Sequence, residues 1–169
     1  GIGKHFLSSV NSFSTQFGKS LSKLAEQGKD FRVITAGMKD GTGLTDFAKS
    51  YPEKFLDVGI AEEHALTMSA GIALGGLKPY FVVYSTFLQR CYDQMVIDVC
   101  LQNLPVCICI DRAGLVGSDG QTHQGIFDLS YLNHIPNLTI LSPKDPLELQ
   151  EMIDFSYNFK TPLAIRYNN

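Results

Sequence analysis

Short runs of apolar, often β-branched residues recur along the chain, and segments with helical spacing separate each run from the next. The runs fall at 31–35, 55–58, 80–84, 106–110, 138–141 and 163–167. Within a run the apolar residues are consecutive rather than alternating, as in Val106-Cys107-Ile108-Cys109-Ile110. A strand of that kind buries both faces, and strands that alternate with helices can pair in parallel because each crossover helix covers a face. The chain is therefore expected to be an α/β protein with three layers, helices on both sides of a six-stranded, mostly parallel sheet.

The helical segments have their own patterns. Phe13, Phe17, Leu21, Leu24 and Ala25 repeat at intervals of three and four up to Gly28, which predicts an amphipathic helix over 13–27. A short helix is expected at 44–50 and another at 146–157. Residues 61–74 are apolar nearly all round, which predicts a helix buried between layers. Leu88, Cys91, Tyr92, Met95, Val96, Val99 and Cys100 form the apolar stripe of a helix over 87–101.

Size and charge narrow the function classes. With 169 residues, 44% of them hydrophobic and 18% charged, the chain suits one domain with an ordinary core, and no linker divides it. Residues 1–12 are expected to be a linker or tail, and 13–169 the domain. Fourteen basic against seventeen acidic residues leave a net charge of −3, without a basic run, so neither nucleic acid nor an anionic membrane is an expected partner. No apolar run approaches the roughly twenty residues that span a bilayer. Cys91, Cys100, Cys107 and Cys109 form no C-x-x-C pair and fall in segments read as core, which points to a reducing, cytoplasmic setting.

In open parallel sheets, ligands bind beyond the carboxyl ends of the strands. There this sequence places 59–64 (Gly-Ile-Ala-Glu-Glu-His), 85–90 (Ser-Thr-Phe-Leu-Gln-Arg) and an irregular stretch over 111–125 with four glycines, Arg112, Asp119 and His123. A loop of that length in a compact domain is usually functional or disordered. Each residue also has an ordinary reading. Glu62 and Glu63 open a helix, where carboxylates are favoured by the exposed amides. Arg90 has Asp93 and Gln94 one turn on, and Arg112 beside Asp111 suits a loop-anchoring ion pair. Asp119 and His123 lack a third ligand at metal spacing, so no metal site is expected. Lys39-Asp40-Gly41-Thr42-Gly43-Leu44 matches neither phosphate-loop pattern.

Taken together, Asp57-Val58-Gly59-Ile60-Ala61-Glu62-Glu63-His64, Tyr84-Ser85-Thr86-Phe87-Leu88-Gln89-Arg90 and the run from Asp111 to His123 resemble the pyrimidine-binding domain of deoxyxylulose 5-phosphate synthases. The resemblance covers 13–167. It implies the thiamine-diphosphate-binding form of the three-layer fold and a transferase that joins pyruvate to glyceraldehyde 3-phosphate, releasing CO2, for isoprenoid, thiamine and pyridoxal synthesis. Glu62 would contact the cofactor's pyrimidine and exchange a proton with it, and Phe87 would stack on that ring. Ile60 would line the cofactor side. Tyr84, Arg90 and Arg112 would receive the acceptor and its phosphate, while Asp119 and His123 would hold the pyruvate-derived unit and assist proton transfer.

The sequence also departs from the family. Glu63 stands where a Gln is usual, and Asn168-Asn169 follow Arg166-Tyr167 where a Pro-Arg pair is usual. No Gly-Asp-Gly element with a later Asn pair is present to hold Mg2+ and the diphosphate. The expected partners are therefore a separate cofactor-anchoring domain, which would hold the Mg2+, and a C-terminal domain of the same enzyme, in a homodimer; alone, the chain would be inactive. Two other readings stay open: the pyrimidine domain of a transketolase or 2-oxoacid dehydrogenase, and an interaction module that has lost the chemistry.

Overall fold

The computed structural model describes residues 12–117 and 119–168, so the tail expected at 1–12 lies outside the described residues except for Ser12. Along the chain run α1 (Phe13–Glu26), β1 (Phe31–Thr35), α2 (Thr45–Ser50), β2 (Phe55–Asp57), α3 (Glu62–Leu74) and β3 (Lys78–Tyr84). A broken helical segment follows, made of α4 (Ser85–Leu88), α5 (Tyr92–Gln94) and a π turn over Met95–Cys100. Then come β4 (Cys107–Asp111), α6 (Asp128–Leu132), β5 (Thr139–Leu141), α7 (Pro146–Ser156) and β6 (Leu163–Arg166).

The six strands among the described residues form one sheet in the order β2-β1-β3-β4-β6-β5, and every pairing is parallel. Side chains of a strand alternate between faces, so the pairing register Val33↔Tyr80, Tyr80↔Cys107 and Cys107↔Leu163 lines up one face across four strands. That face, completed by Phe31, Val82, Cys109 and Ile165, packs on Phe17, Leu21 and Leu24 of α1, Phe47 of α2, and Leu149 and Ile153 of α7. Ile34, Phe81, Val83, Ile108, Ile110 and Ala164 point the other way, onto Ala65, Leu66 and Ala70 of α3, Leu88, Met95 and Val99 of the broken segment, and Leu132 of α6. The three-layer arrangement is thus a direct product of the period-two pattern. Each large apolar side chain sealed in these layers contributes on the order of 1.5–3 kcal/mol.

α1 begins where the Ser12 Oγ accepts from the Thr15 N–H at 3.2 Å. It lies so close to the turn after β1 that a Cβ on Gly18 would fall 2.1 Å from the Gly43 carbonyl oxygen. That contact brings the first turn of α1 to the carboxyl end of the sheet.

Three expectations need correction. The strands are not all buried on both faces: β2 and β5 are the edges, and Leu56 of β2 is exposed. α3 buries one side only, through Glu62, Ala65, Leu66, Ser69, Ala70 and Ala73, while Glu63, His64, Thr67 and Leu74 are exposed. The helix expected over 87–101 is interrupted. Leu101 N–H bonds to the Val96 carbonyl five residues back, at 2.8 Å. Met95, Val99 and Cys100 of this wider turn are buried and pack in the core beneath α3.

Candidate active site

The chain leaves β1 for α2 on one face of the sheet and leaves β3 for the broken segment on the other. Because β1 and β3 are neighbours, their carboxyl ends flank the crevice at which a ligand is expected. The turns around it are tied together. Asp57 Oδ1 accepts from the Gly37 N–H at 2.8 Å and from the Gly59 N–H at 3.0 Å, which joins the loop after β1 to the one after β2. A cleft of about 400 Å3 lies here, lined by Met38, Lys39, Asp40, Gly41, Tyr84 and Phe87 among others. A hollow of about 440 Å3 between α1 and α2 holds none of the candidate residues.

Glu62 is the first residue of α3 and is 3% exposed. Its Oε1 accepts from Arg90 Nη1 at 3.1 Å, so the carboxylate enters a mostly buried position with a cationic partner. Arg90 therefore turns to Glu62 on the neighbouring helix. Its guanidinium also lies 5.2 Å from the centre of the Phe87 ring. Phe87, half-buried, stacks on Tyr84 at 5.9 Å with an interplanar angle of 18°, and His123 meets it edge-on at 5.4 Å.

Tyr84 ends β3 and carries the Arg112 guanidinium 4.3 Å over its ring. Burial pushes its hydroxyl above the usual tyrosine range, and Arg112 opposes the shift. The ring rests on Gly41, where a Cβ would lie 1.7 Å from the phenolic oxygen. Only glycine fits there.

Arg112 follows β4 directly, with the left-handed φ of +57° that is uncommon for an arginine. It is buried, and its side chain is held on several sides. Nε donates to Asp119 Oδ2 at 3.2 Å, and Nη1 donates to the Gly41 carbonyl and to Ser14 Oγ at 3.4 Å while lying 3.1 Å from Asp111 Oδ1. Asp111 is fully buried. Its Oδ1 accepts from the Arg112 backbone N–H and its Oδ2 from the Ser14 hydroxyl, both at 2.7 Å. Burial raises the pKa of this carboxyl, against the pull of Arg112 and the Ser14 hydroxyl. The ion pair read from Asp111-Arg112 is present, as one part of a larger network.

Glu62, Arg90, Phe87, Tyr84, Arg112 and Asp119 thus form one continuous line of contacts, with His123 joined at Phe87. Ile60 stands apart, 90% exposed on the turn after β2. Among the described residues, no three His, Cys, Asp or Glu side chains converge as metal ligands. No helix among them is long and apolar enough to cross a membrane. Sequence reasoning missed Ser14 and Gly41 as members of the site. Asp111 had left a signal, a carboxylate ending an otherwise apolar strand. Ser14 left none, since its partners lie 97 and 98 residues away.

Against known proteins, residues 11–169 match the model of the transketolase pyrimidine binding domain. The 1-deoxy-D-xylulose-5-phosphate synthase of Clostridium kluyveri is 56% identical over 165 residues, covering 98% of this chain and 26% of that protein. The Clostridium perfringens synthase is 57% identical over 155 residues, covering 92% of this chain and 25% of that protein. The chain thus spans about a quarter of the curated relatives it matches. Among solved structures, a split-gene transketolase described as an inactive β4 tetramer superposes with a TM-score of 0.83 at 27% identity, over 94% of this chain and 52% of that one. The transketolase of Campylobacter jejuni, at 21% identity and a TM-score of 0.82 over 92% of this chain and 25% of its own, shares the fold.

Proposed function

The chain belongs to the family of transketolase pyrimidine-binding domains, and from that premise we propose that it forms the pyrimidine half of the active site of a 1-deoxy-D-xylulose-5-phosphate synthase. Such an enzyme joins pyruvate to glyceraldehyde 3-phosphate with loss of CO2. The observation that carries the reading is the unbroken line of contacts from Glu62 to Asp119. It joins a carboxyl, a flat ring and two guanidinium groups beside the crevice that Tyr84 and Phe87 line. Identity of 56–57% to synthases, against 27% to the split-gene transketolase, favours the synthase over another thiamine enzyme.

The residues fit a pyrimidine. A carboxylate that is 3% exposed beside the half-buried Phe87 ring suits a flat heterocycle with a basic nitrogen. Thiamine diphosphate supplies, when bound, the carbanion-stabilising chemistry that decarboxylation of pyruvate requires. Glu62 receives and returns a proton at the ring nitrogen. Arg90 holds the Glu62 carboxylate in place and adds positive charge at the rim. Arg112 presents a permanently charged, planar donor to the acceptor's phosphate. Its ties to Asp111 and Ser14 keep that donor aimed while the acceptor comes and goes. Tyr84 lends its hydroxyl to the same end, and His123 and Asp119 hold the pyruvate-derived unit and move a proton to or from it.

The diphosphate and Mg2+ belong, on this reading, to a separate anchoring domain, in a cytosolic homodimer that also includes a C-terminal domain. Exposed Leu74, Ile97 and Leu101 on the α3 side of the sheet support a covering partner. Four buried free cysteines suit a reducing compartment.

The test is reconstitution of the chain with the missing domains, Mg2+ and thiamine diphosphate, following CO2 release from pyruvate with and without the aldehyde. Glu62→Ala should cut turnover by at least about 10²–10⁴-fold. Near-normal release in that variant would sink the assignment.

A further inference from the structure

The loop between β4 and α6 carries Arg112, Asp119 and His123 and is pinched at its neck. Gly114 and Gly125 exchange both backbone hydrogen bonds, at 2.7 and 2.8 Å. A Cβ on Gly125 would fall 2.1 Å from the Arg112 carbonyl oxygen and 2.8 Å from Ser85 Cβ, so the neck is pressed against the segment that follows β3. Inside the neck, the His123 N–H reaches the Gly120 carbonyl at 3.3 Å. The side chain of Gln124, half-buried, bonds across the loop. Its Oε1 accepts from the Val116 N–H at 2.9 Å, and its Nε2 donates to the Val116 carbonyl at 2.8 Å and to the Gly120 carbonyl at 2.9 Å.

The primary amide imitates a neighbouring strand. It pairs with both peptide groups of Val116 and uses its second N–H to fasten Gly120, the residue next to Asp119. The orientation follows from the partners, since a peptide N–H only donates and the two carbonyls only accept. From this brace the loop reaches the site twice: Asp119 Oδ2 sits 3.2 Å from Arg112 Nε, and His123, adjacent to Gln124, meets Phe87 at 5.4 Å between ring centres. Only a primary amide, that of Gln or Asn, offers one acceptor and two donors in a plane.

We propose that Gln124 is a positioning residue, whose amide sets where Asp119 and His123 stand against Arg112 and Phe87. It acts on the substrate-handling end of the crevice and leaves the Glu62 end alone; as a statement about turnover it rests on the synthase reading. Gln124→Glu keeps the shape, removes both donors and sets a carboxylate against two carbonyl oxygens. Asn is a methylene short of the same partners.

The experiment uses a full-length synthase that contains this chain as its central segment. Small displacements of reacting groups can cost about 10²-fold, so Gln124→Glu should lower kcat at least about tenfold near neutral pH. Cofactor affinity by calorimetry should stay within about twofold. The deficit should shrink as pH falls, because a protonated Glu regains one donor. Added to the double variant Asp119→Ala with His123→Ala, the substitution should cost less than about twofold more, since it acts through those two groups. Gln124→Met, neutral and similar in length, repeats the test without the charge should the glutamate variant not fold. Peptide-resolved hydrogen exchange should show the Val116 amide, which bonds to the Gln124 oxygen, opening at least about tenfold faster in Gln124→Met, which has no such acceptor.

A wild-type kcat in Gln124→Glu, or a full multiplicative loss on top of Asp119→Ala with His123→Ala, overturns the proposal. So does unchanged exchange at Val116 in Gln124→Met. If the wild-type enzyme released no CO2 from pyruvate, the functional reading would fall, while the Val116 exchange would still decide the brace.

Discussion

At Gly41 the absence of one methyl group shapes the site. The Tyr84 hydroxyl occupies the space a Cβ would need, and the Gly41 carbonyl takes a hydrogen bond from Arg112. Gly41→Ala should therefore displace both side chains and raise KM for the phosphorylated acceptor about tenfold or more, with cofactor affinity unchanged. Tyr84→Phe in that background should restore part of the loss by removing the closest atom; no restoration would show that the clash lies elsewhere. The residue types that the proposed chemistry calls for were legible in the sequence. Glu62, Phe87, Tyr84, Arg90, Arg112, Asp119 and His123 all stand at or just beyond strand ends. Their partners were not. Arg90 has acidic and amide neighbours on its own helix, yet it bonds to Glu62, 28 residues earlier. Ile60, named with the cofactor residues, lies 90% exposed, as nothing in its local sequence indicated.

Among the elements, α6 is held by more than its apolar face. Asp128 opens it, with a side chain 1% exposed, and receives Arg166 of β6 through Nε at 3.0 Å and Nη2 at 3.2 Å. This bidentate pair closes the base of the loop that starts at Arg112. Removing one partner of a buried pair strands the other charge, so Asp128→Ala should cost about 3–5 kcal/mol in urea unfolding. Asp128→Leu with Arg166→Met should cost much less, and equal costs would mean that the pair is worth little beyond its packing. Ser12→Ala at the start of α1 should cost about 1 kcal/mol. That loss would loosen the helix that brings Ser14 to Asp111. Helix α1 and the central strands were legible because their patterns are local and strong. The π turn was not. An apolar stripe at 88–100 reads the same whether the helix is regular or widened.

For the whole molecule, the buried thiols set an alkaline limit. Burial pushes Cys91 up to about 12 and Cys100 up to about 11, from an ordinary 9.0, and the carboxylates of Glu63 and Glu62 add to the first shift. Their folded-state values exceed the unfolded ones, so the stability they contribute is intact below about pH 9 and is lost as pH rises through 11–12. Each thiol should remove about 1.4 kcal/mol per pH unit in that window. Urea midpoints measured across it should fall, and less steeply in Cys91→Ala with Cys100→Ala. A fall of equal slope would place the cause in other groups. On the proposed division of the site, in which another domain holds the diphosphate and its metal, the isolated chain should also bind thiamine diphosphate weakly in calorimetry. Tight binding would contradict the division of the site between two domains. By itself the sequence determined the layers, the parallel strands and the kinds of side chain set at their ends, because periodicity and strand-end placement are properties of neighbours along the chain. Only the tertiary structure decided which of those side chains meet. The contacts of Glu62 with Arg90 and of Ser14 with Asp111 join residues 28 and 97 positions apart. They exist because β3 lies between β1 and β4 in the sheet, and because α1 packs against a glycine turn with no room for a side chain.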